Sequence, residues 1–175
     1  MRAALLVLAS ACSFGTEVPS IDAPPLTPPT TMFIFEAEAF VAKTTTTHDW
    51  TEVTTEAGYS GTGYMILSPD NSTPCATMSA VTTCGASLVY NLPIDDARTY
   101  YIYTRLFASN GSHDSLWFGI DGAVEDVIDV MEDSTWRWTG GKPLALAAGL
   151  HTLHVWQREG ARFDMIAVMP TAAPP

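Results

Sequence analysis

Between residues 32 and 169 apolar and polar positions change places every one or two residues, in short runs. The runs read MFIFEAEAF, WTEVTTE, GTGYMILS, ASLVYNLP, TYYIYTRLFA, DSLWFGID, AVEDVIDV, KPLALA, LHTLHVWQRE and RFDMIAVM. They are rich in β-branched and aromatic residues, which fit a pleated surface. Successive side chains of a strand point to opposite faces, so this alternation predicts strands with one face buried. Turn signals separate them, among them Pro69-Asp70-Asn71, Ser109-Asn110-Gly111, Asp121-Gly122, Gly140-Gly141 and Ala148-Gly149. Many short strands at this spacing predict an all-β sandwich of the jelly-roll kind. In VEDVIDVMED a helical turn competes, because Val124, Val127, Ile128 and Met131 also fit helical spacing. There is no internal repeat.

The pattern stops at both ends. Residues 13–31, SFGTEVPSIDAPPLTPPTT, carry Pro, Thr and small side chains that cannot build a core, and read as an extended tether. Residues 171–175, TAAPP, are a tail. Residues 1–12, MRAALLVLASAC, hold one Arg, a short apolar core and then small residues. That core is too short to span a bilayer. The segment resembles a bacterial lipoprotein export signal with Cys12 as the lipidated residue, although Ala9 stands where such signals usually have Leu. Ordinary secretion is the alternative, and either reading means export. The chain has 3 cysteines. With Cys12 carrying lipid, Cys75 and Cys84 are left to pair as a disulfide in an oxidising compartment.

Composition changes the picture in two ways. The chain is 47% hydrophobic and 15% charged over 175 residues, which suits one domain, residues 32–170, with a sizeable core. Its 19 acidic and 8 basic residues leave a net charge of −11. Such a surface argues against nucleic acid and against anionic membranes, leaving an N-terminal lipid as the membrane contact. It also offers carboxylates to a hard cation.

FEAEAF places Glu36 and Glu38 two apart, hence on one face of a strand. Two like charges that close need a partner if buried. Asp164, inside the apolar run RFDMIAVM, needs one too. Arg105 lies in line with Tyr101 and Tyr103, and Asp114 or Glu159 is its expected ion-pair partner.

No catalytic constellation emerges. Glu36 and Glu38 are poorly placed to straddle a glycosidic bond. Gly58-Tyr59-Ser60-Gly61-Thr62 lacks the final Gly of a nucleophile elbow. Ser112, His113 and Asp114 are merely adjacent. His151 and His154 face opposite ways on a strand, so they are no metal pair. Gly58, Gly61 and Gly63 miss the spacing of a phosphate loop. The chain reads as a non-enzyme.

Taken in order, FEAEAF, GYSGTGYM, GASLVYNLP, YYIYTRLFASNGSHDSLWFGIDG, WRW and LALAAGLHTLHVWQREGARFDMIAV resemble the non-catalytic carbohydrate-binding modules of families six and thirty-five. The resemblance covers nearly all of residues 32–169. It implies a β-jelly roll, a polysaccharide or glycan partner, and a partner enzyme to which such modules are usually attached. It also implies a structural calcium ion (Ca2+) where the first and last strands meet. That pattern falls on Glu36, Glu38 and Asp164.

A sugar site needs aromatic platforms for C–H faces and polar groups for hydroxyls. The resemblance points to Tyr59 or Tyr64, to Trp136 or Trp138, and to Arg158, Glu159 or Arg162. Tyr64 lies in an alternating run and reads as core; Tyr59 reads as a loop residue. Of Trp136 and Trp138, one packs inward and the other reaches a site. Trp50 and Trp117 read as structural, while Trp156 fits surface or core. The family's usual Asn near the last hairpin is replaced by Arg-Glu-Gly-Ala-Arg, residues 158–162, where an arginine could bind a uronate. The rival readings are an adhesion or structural domain of the envelope with no sugar site and, less well supported, a small glycoside hydrolase. A surface or outer-membrane lipoprotein, or a secreted protein, is the expected location.

Overall fold

A computed structural model describes residues 31–70 and 75–175. The export signal, Cys12 and nearly all of the tether lie outside the described residues. The strands are β1 (Phe33–Glu36), β2 (Ala42–Thr44), β3 (Asp49–Val53), β4 (Tyr64–Ser68), β5 (Ser87–Ile94), β6 (Arg98–Phe107), β7 (Ser115–Ile120), β8 (Ala123–Asp129), β9 (Arg137–Leu146), β10 (Gly149–Gln157) and β11 (Arg162–Met169). One helical turn, α1 (Val81–Cys84), precedes β5. All pairings are antiparallel. One sheet runs β3-β4-β11-β6-β9, with β1 also on β11; the other runs β2-β5-β10-β7-β8. This is the jelly-roll sandwich that the alternation predicts.

The core lies between the sheets. Trp50, Met65, Leu67, Ile102, Leu106, Phe163 and Ile166 come from the first sheet. Leu88, Tyr90, Leu116, Phe118, Leu153 and Val155 come from the second. Trp50 is structural as expected: it packs edge-on to Phe163 and donates Nε1–H to the Ala86 carbonyl at 3.0 Å. Trp117 and Trp156 are also buried, beneath the 75–84 segment. Cys75 and Cys84 form the expected disulfide, with Cα atoms 5.8 Å apart.

One open choice closes and two local expectations need correction. The helical turn that competed in VEDVIDVMED does not form; residues 123–129 are the strand β8, held by β7 along their length. KPLALA is only the end of a strand that starts at Arg137, so Arg137 and Trp138 are strand residues. Glu38 is not in a strand at all: β1 ends at Glu36 and the chain turns, with Ala39 N–H donating to the Glu36 carbonyl at 3.0 Å. Among the described residues no helix is long and apolar enough to cross a membrane.

The sandwich end carrying the β7–β8 turn is tied by a histidine. His151 Nδ1 is 2.7 Å from Asp121 Oδ2, and its Nε2 is 3.0 Å from the Ala147 carbonyl. Both partners only accept, so the imidazolium alone can donate to both at once. Hydrogen bonding to Asp121 therefore raises the His151 pKa above 6.5. A raised folded-state value contributes stability that is complete below 6.5 and fades as pH climbs through the folded pKa. Asp121 is 55% exposed, so solvent screening limits the gain to below about 1 kcal/mol. Stability of the wild type should fall slightly between about pH 6 and 8, and a His151→Gln variant should flatten that slope in urea melts. An unchanged slope would mean that the clamp contributes nothing.

Candidate functional site

β11 has β6 along one edge and two shorter strands in succession along the other. Phe163 pairs with Met65 of β4, and Met165 pairs with Glu36 of β1. Asp164 sits at the junction, where the β6 register slips. A bulge of this kind re-aims a side chain. The Asp164 carbonyl accepts from Ala37 N–H at 2.8 Å, and the buried Tyr90 hydroxyl of the opposite sheet donates to the Ala37 carbonyl at 2.7 Å. Ala37 is thus pinned between the sheets, with Glu36 and Glu38 on either side of it. Burial, and then the Glu38 charge, push the Tyr90 hydroxyl well above its usual value, so it stays a donor.

The three acidic residues singled out from sequence converge on one turn, residues 58–62. Ser60 N–H donates to Asp164 Oδ1 at 2.8 Å, and Ser60 Oγ–H to Glu36 Oε1 at 2.9 Å. Thr62 N–H donates to Glu38 Oε1 at 2.9 Å. Gly61 takes φ +65°, and a side chain there would run into Glu38 Oε1 and approach the Glu36 carboxyl to 3.2 Å. Only glycine suits the position.

Asp164 is fully buried and ion-paired with Arg105 Nη1. Sequence reasoning expected Asp114 or Glu159 as the partner of Arg105; the pair forms instead with a residue of the adjacent strand β11. Burial still pushes the Asp164 pKa up against the opposing pull of Ser60 and Arg105. Burial is also the main reason the Glu36 carboxyl is raised, with Glu38 and Asp164 adding repulsion.

Among the described residues, two oxygens of this pocket have no partner: Glu36 Oε2 and Glu38 Oε2 are both buried and unbonded. An unsatisfied buried carboxylate oxygen is costly, and a hard divalent cation takes such oxygens. By that test Glu36 and Glu38 fit calcium. Asp164 already has both oxygens engaged, and among the described residues no three His, Cys, Asp or Glu side chains are grouped to hold a metal ion.

Beside this pocket the same turn meets an aromatic cluster. The Trp136 ring is 5.1 Å from Tyr64 and 5.4 Å from Phe107, and Tyr64 is 5.8 Å from Tyr59. Trp136 Nε1–H donates to the Ala57 carbonyl at 3.0 Å, which fixes the indole in the loop. Tyr59 and Trp136 are half-buried and Tyr64 is buried, as its alternating run implies. Arg162 lies over Phe107 at 4.9 Å and pairs with Glu56 at 3.1 Å.

The remaining candidates lie elsewhere. Trp138 packs with Tyr101, Tyr103, Ala167 and Met169 on the outer face of the first sheet. Arg158 bonds Ser115 Oγ and sits 2.9 Å from Glu159 Oε1, bracing the β10–β11 turn. Ser115 Oγ–H donates to Glu159 Oε2 at 2.6 Å. Burial, then a hydrogen bond with Asp114, raises the Glu159 pKa. Sequence reading missed Glu56, Phe107 and Gly58 at this site. Phe107 could have been found, since it shares a strand face with Arg105; for Glu56 there was no signal.

No protein-family model matches the chain, and no curated protein matches it in sequence. Solved structures do match. A family 35 carbohydrate-binding module from an environmental isolate superposes with a TM-score of 0.57 at 23% identity, covering 82% of this chain and 97% of that one. This chain has the carbohydrate-binding-module fold. The C-terminal family 6 module of a marine laminarinase from Zobellia galactanivorans gives a TM-score of 0.56 at 13% identity, covering 79% of this chain and 99% of that module. A β-(1,4)-mannanase of Podospora anserina that carries a family 35 module gives 0.61 at 17% identity, covering 84% of this chain. The chain spans only 29% of that enzyme's length. The module fold therefore occurs as part of enzyme chains.

Proposed function

We propose that this chain is a non-catalytic carbohydrate-binding domain, exported and tethered through a lipid on Cys12. The sugar site is the loop platform of Tyr59 and Trp136, with Arg162 and Glu56 at its rim. The observation that carries this reading is the half-buried Trp136 indole, locked by its own Nε1–H and by Tyr64 and Phe107. A fixed, half-buried indole suits the C–H groups of a pyranose, and a charged pair beside it suits hydroxyls. Arg105, Arg158 and Arg162 each already face a carboxylate, so a neutral sugar is favoured over a uronate. Calcium is held by Glu36 and Glu38 and serves the fold, neutralising the repulsion between them.

The test is a glycan panel read by affinity. Trp136→Ala should weaken the best binder about 30-fold, the effect of losing roughly 2 kcal/mol at an aromatic hot spot. Trp138→Ala should leave binding nearly intact. A folded wild type that binds no glycan would favour the envelope adhesion reading instead. The tether has its own check: Cys12→Ala should move the chain from the membrane fraction to the soluble one, and continued membrane retention would remove the lipid from the picture.

A further inference from the structure

We infer that Arg105 is a positioning residue: through residues 57–62 it transmits the state of the acidic pocket to the Trp136 platform. The inference rests on the sugar and calcium assignments above but goes beyond either. Arg105 touches both sites at once. Its Nη1 pairs with the buried Asp164, its Nη2 donates to the Gly58 carbonyl at 2.9 Å, and its guanidinium carbon is 5.6 Å from the Trp136 ring centroid. The rigid guanidinium fork can serve a carboxylate and a carbonyl together while its flat face meets an aromatic ring; a lysine cannot do all three.

The turn between the two sites is equally committed. Gly58 has φ +92°, and a side chain there would come within 3.3 Å of Trp136 Cδ1, so the bare backbone lies against the indole. Ala57 accepts from Trp136, Gly58 from Arg105, and Ser60 and Thr62 donate to the three carboxylates. Every group that fixes Trp136 from this side is thus within a few residues of a group that fixes Glu36, Glu38 or Asp164. A cation that engages the free oxygens of Glu36 and Glu38 holds the carboxylates that anchor Ser60 and Thr62. That stiffens the turn, and Arg105 carries the restraint to the platform. Coupling between two sites is reciprocal, so bound sugar should also tighten cation binding.

The experiment uses the full chain with calcium or chelator, as wild type, Arg105→Lys and Trp136→Phe. Acrylamide quenching of tryptophan emission, taken as the difference between wild type and Trp136→Phe, isolates Trp136. In the wild type calcium should shield Trp136 from the quencher and tighten glycan binding at least about fivefold. In Arg105→Lys calcium should still raise the melting temperature, while both the shielding and the affinity gain disappear. Should Arg105→Lys not melt cooperatively, Ser60→Ala replaces it, since it cuts the Glu36 link and spares the Arg105–Asp164 pair; it should lose most of the shielding. The inference is overturned if calcium raises the wild-type melting temperature without changing Trp136, if calcium has no effect on the wild type, or if the variants respond as the wild type does. Calcium-dependent shielding that needs Arg105, in a protein that binds no glycan, would support the coupling and sink the sugar assignment alone.

Discussion

Arg105→Ala should cost about 3–5 kcal/mol of stability at neutral pH, the usual result of stranding a buried charge. Asp164 has no exposure, its other oxygen is held by Ser60 N–H, and Arg105 is its one ion-pair partner among the described residues. For a domain of this size about 1 kcal/mol corresponds to roughly 2–4 °C of melting temperature, so the fall should be near 10 °C. The pH dependence has a definite sign. Burial already raises the Asp164 pKa, and removing Arg105 takes away a group that lowers it. A carboxyl with a raised folded-state pKa binds its proton more tightly when folded, so the variant should recover stability as the pH falls through that value. Asp164→Asn added to Arg105→Ala should recover much of the loss at neutral pH. Thermal melts of the single and double variants at two pH values decide it. A small, pH-independent loss in the single variant would show that Asp164 is not an isolated charge once Arg105 is gone.

Calcium should raise the melting temperature of the wild type by several degrees, and chelator should reverse the rise. Ligand binding to the native state alone stabilises by RT ln(1 + [L]/Kd), about 2.7 kcal/mol at a hundredfold excess over Kd. The unpartnered Oε2 atoms of Glu36 and Glu38 are the reason to expect it. Without a cation these oxygens are desolvated with no compensation, and Glu36 answers by holding its proton more tightly. Glu36→Gln and Glu38→Gln should each abolish most of the calcium response while keeping a folded domain, because each amide retains an oxygen for Ser60 or Thr62. A full response in both variants would move the cation elsewhere; no response in the wild type would leave the pair as a strained, purely structural feature.

Much of this was legible along the chain, for a simple reason. Alternation of apolar and polar positions is a local pattern, and a half-buried strand depends on little else. Hence the β-runs, their turns, and the burial of Trp50 and Tyr64 followed from sequence. What the sequence left open or misplaced shares a cause as well. VEDVIDV fits both a strand and a helical turn, and only β7 beside it selects the strand. Glu36 and Glu38 do meet, but because the chain turns after Glu36 and the 58–62 turn folds over both, not because a strand continues. Trp136 and Trp138 could not be told apart by spacing; the start of β9 between them places one in the loops and the other on the sheet face.

The sequence alone determined that residues 32–169 form a sandwich of short strands, that Cys75 pairs with Cys84, and that acidic side chains would need company. It determined these things because burial periodicity and residue chemistry act within a few positions. The tertiary structure alone decided who the company is. Asp164 meets Arg105 across 59 positions, Glu36 meets Ser60 across 24, and Trp136 meets Ala57 across 79. Such pairs are set by strand order and by the bulge in β11, which bring distant segments to one end of the sandwich. No local pattern carries that information, because hydrogen bonds and ion pairs choose partners by distance in space.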